Sequence, residues 1–319
     1  MEEIRILHLS DTHNHHRDIS ADDMPPADIF IHTGDFTNDG LEEEFEDFNN
    51  WLGEISSNYS HIIVIGGNHD WRDAYKKVKA REIDASVVIA PNFLQDKLRN
   101  AIVVDHTEIC IRGIRIFGSS WVPWHVSSCP ENSTGGKSGQ PQIWAEYARN
   151  YREIYGLDPC PHRFNEIPEG VDILLTHGPA FGIMDSMENG PSQWGSSAAL
   201  REAIHRAAPK VHLFGHLHEQ RGAYVKKKCV DSDREVFAGG VHYCYPRGSG
   251  KAAYTLPPPE ASDYPCQVIS CNAMLNHSHM ERGSPYIAGR PRLIVARRMG
   301  PDCPWDFSVP DEYMNVDTC

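Results

Sequence analysis

Apolar runs of strand length alternate with an amphipathic segment in the first part of the chain. Ile4 to Leu9, Asp28 to His32 and His61 to Ile65 have the length and apolar character of buried strands. Between the second and third runs, apolar residues recur at steps of four and three, which places them on one face of a helix: Leu41, Phe45, Phe48, Leu52 and Ile55. The pattern predicts sheet strands connected by a crossover helix.

Strand-like runs continue through the rest of the chain. They cover Ile102 to Val104, Glu108 to Ile111, Ile114 to Phe117, Val171 to Leu175, Val211 to Phe214, Gln267 to Ser270 and Leu293 to Ala296. The turn residues Arg112-Gly113 separate the second of these runs from the third, which predicts an antiparallel pair and a mixed sheet. A second helix is predicted over about residues 197 to 208.

Two segments rich in turn-forming residues interrupt the alternation. Residues 126 to 168 contain several prolines and glycines around one short helical segment, Ile143 to Tyr155, and are interpreted as a surface insertion. Residues 245 to 264 are interpreted as a loop. A chain of 319 residues with 40% apolar content can bury a large core, so we expect one domain over residues 1 to 319.

Charge and cysteine usage narrow the class of protein. Thirty basic and 44 acidic residues give a formal charge of −14, which opposes binding to nucleic acid or to anionic membranes. The nine cysteines form no C-x-x-C pair and their number is odd, which favours reduced thiols. The sequence shows neither a leader pattern at its start nor an apolar run of bilayer length, so a cytoplasmic protein is expected.

Five predicted strands are each followed at once by polar residues that can bind metals. These junctions are Leu7-His-Leu-Ser-Asp11-Thr-His13, Phe30-Ile-His-Thr-Gly34-Asp35, Ile65-Gly-Gly-Asn68-His69-Asp70, Leu175-Thr-His177-Gly-Pro and Phe214-Gly-His216-Leu-His218. Strands of one sheet can bring their carboxyl ends to one edge, so all five clusters can converge. Carboxylate, imidazole and amide donors without thiolate favour Mn, Fe or Zn, and these donors exceed the needs of one ion.

The order D-x-H, G-D, G-N-H-D, H and G-H-x-H, over residues 4 to 219, resembles the signature of the calcineurin-like metallophosphoesterases. Four segments look like the small metallophosphoesterase-domain-containing phosphodiesterases: Gly34-Asp-Phe-Thr, Trp121-Val-Pro-Trp124, Leu175-Thr-His-Gly-Pro and Phe214-Gly-His-Leu-His-Glu219. The resemblance implies the metallo-dependent phosphatase fold, a four-layer α/β/β/α sandwich of two mixed sheets flanked by helices. Residues after about 225 match loosely and are interpreted as a divergent C-terminal extension of the same domain.

Carried over position by position, the resemblance implies a site with two divalent ions, Mn²⁺ preferred and Fe or Zn as alternatives. One ion would be held by Asp11, His13 and His218. The other would be held by Asn68, His177 and His216, and Asp35 would bridge the two. His69 would face the leaving-group oxygen, and Asp70 is a candidate to orient it.

The implied activity is hydrolysis of phosphate esters by a metal-activated hydroxide, with His69 assisting the leaving group. Two divalent cations, two carboxylates and one hydroxide leave a net charge of about +1. That charge would attract a small phosphate ester to an otherwise acidic protein.

One motif departs from the phosphoprotein phosphatases of this superfamily. They carry G-D-x-x-D-R-G, whereas this chain has Asn38 in place of the second Asp and no arginine after it. Loss of that phosphate-gripping arginine favours a diester, small or nucleotide-like, although Arg72 could substitute in part. Trp121, Trp124 and His125 could bind a planar part of the substrate, with packing as the alternative role for the tryptophans.

Other functions remain open. A phosphomonoesterase would use the same metal site. A non-catalytic scaffold of this family that binds partner proteins would typically have lost ligands, and none is missing here. A DNA nuclease is disfavoured by the net acidity. The oligomeric state is not determined by the sequence.

Overall fold

A computed structural model describes residues 1–88, 92–121, 164–187, 190–191, 197–229, 232, 234–243, 254–256, 264–275 and 287–314. Within them the strands are β1 (Glu2–Leu9), β2 (Ala27–Thr33), β3 (Tyr59–Ile65), β4 (Ile102–Val103), β5 (Thr107–Ile111), β6 (Ile114–Ser119), β7 (Ile173–Thr176), β8 (Ser186–Met187), β9 (Gly190–Pro191), β10 (Val211–Phe214), β11 (Gln220–Lys228), β12 (Glu235–Tyr243), β13 (Tyr254–Leu256), β14 (Val268–Asn272), β15 (Arg292–Arg298) and β16 (Asp306–Ser308). The helices are α1 (Glu42–Ile55), α2 (Arg72–Lys79), α3 (Ala85–Val88), α4 (Phe93–Lys97), α5 (Ala198–Ala207) and α6 (Asp311–Met314).

The strands form two mixed sheets. The first has the order β16-β15-β1-β2-β3-β4, with β1 to β4 parallel and β15 and β16 antiparallel to their neighbours. The second has the order β13-β12-β11-β14-β10-β7-β6-β5, with β6, β7, β10 and β14 parallel. In each sheet the parallel strands lie together, so their carboxyl ends share one edge.

Apolar side chains fill three layers between and outside the sheets. Ile31 of the first sheet and Leu213 of the second belong to the core between them. Helix α1 covers the outer face of the first sheet with Phe48, and α5 covers the outer face of the second with Ile204. Strands buried on both faces explain why the sequence shows continuous apolar runs. The predicted four-layer α/β/β/α sandwich is therefore confirmed.

The predicted elements agree with these bounds within a few residues, but several elements were not predicted, among them α2, α3, α4, β8 and β9. Strand β13 corrects the interpretation of residues 245 to 264 as a loop, because it pairs with β12 in the second sheet. Residues 102–103 form β4 in the first sheet, parallel to β3, while the predicted antiparallel pair is β5 and β6 of the second sheet. The hairpin of β11 and β12 was not predicted, because three consecutive lysines and the glycines of β12 hide its alternation. The C-terminal tail forms β16 and α6.

Some predictions concern parts of the chain that are not described. The helical segment Ile143 to Tyr155, and the insertion up to residue 163, lie outside the described residues. The organisation of residues 1–319 as one domain stays a prediction. Within the described ranges, no helix is long and apolar enough to cross a bilayer.

We expect Phe48→Ala to lower the free energy of unfolding by about 3–5 kcal/mol, as is usual for a truncated core aromatic. Phe48 is fully buried and stacks on Phe36 with ring centroids 4.3 Å apart. Urea denaturation gives the value. Glu46→Ala, on the exposed side of the same helix, is the control and should change stability by no more than about 0.5 kcal/mol. A cost below about 1 kcal/mol for Phe48→Ala would contradict this packing.

Candidate metal centre

Polar residues from both sheets meet at the shared edge. Asp11 follows β1, Asp35 follows β2 and His177 follows β7. A parallel bridge between Ser10 and Ala273 joins the two sheets where β1 and β14 end. The backbone amide of Asp11 also donates to Gly34 O at 2.9 Å, which holds the loops after β1 and β2 side by side. Donors from distant parts of the chain thus reach one centre.

Asp11, His13 and His218 form the first group of potential ligands, with ligand atoms all within 4.8 Å of one another. The Nε2 atoms of the two histidines are 3.1 Å apart, and Asp11 Oδ1 lies 3.4 Å from His218 Nε2. Ligands bound about 2.0–2.2 Å from one ion lie roughly 3 Å from each other. These separations therefore suit a single shared cation.

Asp35, His177 and His216 form the second group. Asp35 Oδ2 is 3.3 Å from His177 Nε2 and 3.6 Å from His13 Nε2 of the first group. His69 joins Asp35 and His13 in a third, overlapping combination. Asp35 therefore lies next to a histidine of each group. Its carboxylate can bind a cation in the first group and a cation in the second.

The donor chemistry of these residues fits divalent cations. Among the buried atoms that make no hydrogen bond of acceptable geometry within the described residues are three atoms of the expected ligands: Asp11 Oδ1, Asn68 Oδ1 and His177 Nε2. His177 Nδ1 lies 2.8 Å from the carbonyl of Thr33, which accepts its hydrogen and leaves the Nε2 lone pair for a metal. Buried polar atoms in proteins usually have a partner, so three such oxygen and nitrogen atoms among the expected ligands fit a bound cation.

The electrostatics of the site favour positive charge. Burial disfavours ionised carboxylates, yet the adjacent imidazoles, His177 foremost, hold the pKa values of Asp11 and Asp35 below their ordinary range. Burial likewise disfavours a charged imidazole, but Asp35 and Asp11 raise the pKa of His177 to about 10. At His216 burial dominates and lowers the pKa to about 3, so this ring is neutral, the form that binds a cation.

The backbone of the site is strained at several of the candidate ligands. Asp11, His13, Asp35 and His216 all have positive φ, at 54°, 41°, 53° and 69°. Residues other than glycine adopt this left-handed region at a cost of order 1–3 kcal/mol, and such positions cluster at functional sites. The tight turns aim the side chains back towards the common centre.

Asp70 differs from its expected role. Its Oδ2 accepts hydrogen bonds from the amides of Asp35 and Gly67 at 2.9 and 2.8 Å, and its Oδ1 accepts from the amide and hydroxyl of Thr37 at 2.9 and 2.7 Å. These contacts join the loops after β2 and β3. The described hydrogen bonds of Asp70 therefore make it a brace for Asp35 rather than an orienting partner of His69.

His69 is instead oriented by a backbone group. Its Nδ1 lies 2.6 Å from the carbonyl oxygen of Asn38, and its ring packs edge-on against His13 with centroids 4.5 Å apart. The sequence showed only that an amide replaces a carboxylate at position 38. A carbonyl, which every residue type carries, gives no signal in a sequence.

Of the four residues predicted to bind substrate, the structure describes Arg72 and Trp121, which lie in different surroundings. Arg72 Nη1 lies 3.2 Å from Asp39 Oδ1 and 3.4 Å from the Asn38 carbonyl, which places it next to His69. Trp121 is partly buried and packs against the apolar cluster between the second sheet and α5. Trp124 and His125 lie outside the described residues.

Comparison with known proteins agrees with this geometry. A family model described as calcineurin-like phosphoesterase matches residues 4–220. The chain is 34% identical over 227 residues to human metallophosphoesterase domain-containing protein 1, a match that covers 68% of this chain and 61% of the human protein. It is 32% identical over 238 residues to a UPF0046 protein of Caenorhabditis elegans, covering 69% and 53% of the two chains. The matches thus span about half to three fifths of these relatives.

We expect Gly67→Ala to weaken metal binding about ten- to a hundredfold, the usual effect of disturbing residues that support metal ligands. A Cβ at position 67 would lie 2.3 Å from Asp35 Oδ1 and 2.6 Å from His177 Cε1, so both side chains or the loop itself must move. Calorimetric titration of metal-stripped protein with Mn²⁺ measures the affinity. Gly300→Ala is the control, because its Cβ would meet only Cys303 Sγ, at 3.8 Å. Equal affinity in both variants would contradict the close approach.

Proposed function

Because the chain belongs to the calcineurin-like phosphoesterase family, we propose that it hydrolyses phosphate diesters, with small or nucleotide-like diesters as substrates. The observation that carries the proposal is the position of Asp35 between two groups of ligands, 3.3 Å from His177 and 3.6 Å from His13. A carboxylate shared in this way suits a pair of cations, and a pair of cations suits phosphoryl transfer.

The proposed ligands are the members of the two groups together with Asn68. Asp11, His13 and His218 would hold one divalent ion, and Asn68, His177 and His216 the other, with Asp35 shared. Such ions, when bound, supply Lewis-acid charge beside the phosphate oxygens and lower the pKa of bound water. Nitrogen and oxygen donors at these positions agree with Mn²⁺, the ion we prefer, as well as with Fe or Zn.

His69 is the proposed proton donor. As water adds to phosphorus and one P–O ester bond breaks, the leaving oxygen would take the proton of His69 Nε2, and the proton released from water would restore the ring. The contact of Nδ1 with the Asn38 carbonyl at 2.6 Å keeps a hydrogen on Nδ1, so the proton transferred to the leaving oxygen is the second one, carried by Nε2 of the protonated ring. Its packing against His13 keeps it beside the first group of ligands.

A diester is preferred because of the charge it carries. A monoester is a dianion and gains more from an additional guanidinium. Arg72 is the arginine next to His69, and its guanidinium is paired with Asp39 at 3.2 Å. A phosphomonoesterase remains the second candidate, since the ligands are common to both. The scaffold alternative is weaker because every expected ligand is present.

The proposal extends to the binding partner and the cellular location of the protein. A small phosphate ester, rather than nucleic acid or a membrane, is the proposed partner, in keeping with the formal charge of −14. A cytoplasmic location is proposed on the cysteines, since those in the described residues are free: Cys110, Cys229, Cys266, Cys271 and Cys303.

The substrate class is tested by comparing bis(p-nitrophenyl) phosphate with p-nitrophenyl phosphate after loading with Mn²⁺. We expect kcat/KM for the diester to exceed that for the monoester by about tenfold or more, a difference of about 1.4 kcal/mol in transition-state stabilisation. Release of p-nitrophenolate is followed by absorbance. Preference for the monoester would favour the phosphomonoesterase, and inactivity with Mn, Fe and Zn on both esters would favour the scaffold.

Two variants test whether Asp35 holds the metal ions and His69 donates the proton. Asp35→Asn should lose bound metal and most activity, because the shared carboxylate supports both ions. His69→Ala should keep its metal while kcat falls about 10²–10⁴-fold, the usual contribution of a general acid. Elemental analysis is read together with turnover. Loss of metal in His69→Ala would instead make His69 a ligand in its combination with His13 and Asp35.

A further inference from the structure

A loop carbonyl helps to set the direction of the His69 ring. The Asn38 oxygen that meets Nδ1 at 2.6 Å belongs to the segment 38–41, between the residues that follow β2 and the start of α1. Since the carbonyl can only accept a hydrogen bond, it holds the hydrogen on Nδ1. A shift of this loop would therefore redirect Nε2, the atom that is to reach the leaving group.

The carboxylate of Glu44 holds this loop from one side. Its Oε2 accepts hydrogen bonds from the amides of Leu41 at 2.8 Å and Asp39 at 3.0 Å. Its Oε1 accepts from Asn14 Nδ2 at 2.5 Å, which ties the loop to the one that follows β1. Glu44 thus fixes the chain at Asp39, directly after Asn38, and again at Leu41.

The opposite side of the loop is held by main-chain packing. Gly40 has a φ of +73°, and a Cβ there would lie 2.7 Å from the carbonyl oxygen of Asp70. The amide of Asp73 donates to the carbonyl of Asp39 at 2.8 Å. The backbone that carries His69 therefore lies on one side of the loop and Glu44 on the other.

We propose that Glu44 is a positioning residue for the reaction, which holds the Asn38 carbonyl against Nδ1 of His69 through the amides of Asp39 and Leu41. This inference rests on the proposed function, because it assumes that His69 donates the proton to the leaving oxygen. The hydrogen bonds of Glu44 described above go to Leu41, Asp39 and Asn14, none of which is an expected metal ligand. Its effect is on the geometry of proton donation.

Misplacing a proton donor costs most where the leaving group needs the proton most. A phenolate leaves less readily than p-nitrophenolate, so methyl phenyl phosphate depends more on His69 than methyl p-nitrophenyl phosphate does. For Glu44→Ala we expect kcat to fall about 10- to 100-fold on the phenyl ester and less than about threefold on the p-nitrophenyl ester, with KM unchanged. The double variant with His69→Ala should be no slower than His69→Ala alone.

Glu43→Ala is the matched control. It removes the same charge from the same first turn of α1, so any effect of the helix dipole is shared. Glu43 is exposed, and the kcat of Glu43→Ala should stay within about twofold of the wild-type value for both esters. Glu44→Gln is the rescue: its amide oxygen can still accept from Leu41 and Asp39, so most of the activity on the phenyl ester should return.

Three outcomes would overturn the inference. They are an equal loss on both esters, a loss of bound metal in Glu44→Ala, and identical behaviour of Glu44→Ala and Glu43→Ala. Each can occur while the wild-type protein hydrolyses diesters, and would then leave the proposed function standing. A wild-type protein that hydrolyses neither ester would remove the proposed function and the inference together.

Discussion

The candidate site depends on compensation of the negative charge of two buried carboxylates. Asp11 is fully buried and Asp35 is 2% exposed, and burial of ionised groups without compensation is costly. The described protein offers them the imidazole of His177, whose pKa is raised to about 10 by their presence despite its burial. A proton on His177 and a divalent cation are alternative ways to balance the same negative charge.

The surrounding architecture keeps the two carboxylates together. Parallel strands of both sheets end at one edge, and the loops that follow are joined by main-chain hydrogen bonds and by the bridge between Ser10 and Ala273. Glycine at position 215 is required by close approach, since a Cβ there would lie 2.0 Å from Asp11 Oδ2. Positive φ at four ligand positions is tolerated because the surrounding core and hydrogen bonds overdetermine the backbone.

Neighbouring acids at this edge have different tasks. Asp35 faces the histidine ligands, whereas both oxygens of Asp70 are taken up by donors from the loops after β2 and β3. Glu44, further from the centre, accepts hydrogen bonds from the loop that orients His69. Bound cations would place positive charge at this edge of a protein whose formal charge is −14.

The sequence by itself determined the main strands and helices and the polar clusters that follow five strands, and its resemblance to a known family implied the four layers and the set of expected ligands. Strand and helix periods, and polar residues placed directly after apolar runs, depend on neighbouring positions along the chain and can be seen there. Pairings between distant segments cannot: β4 joined the first sheet, and the hairpin of β11 and β12 depends on contacts rather than on its own alternation. Tertiary structure alone decided that Asp70 braces Asp35 and that a carbonyl of Asn38 meets His69. Backbone groups are the same in every residue, so their role appears only when the chain is folded.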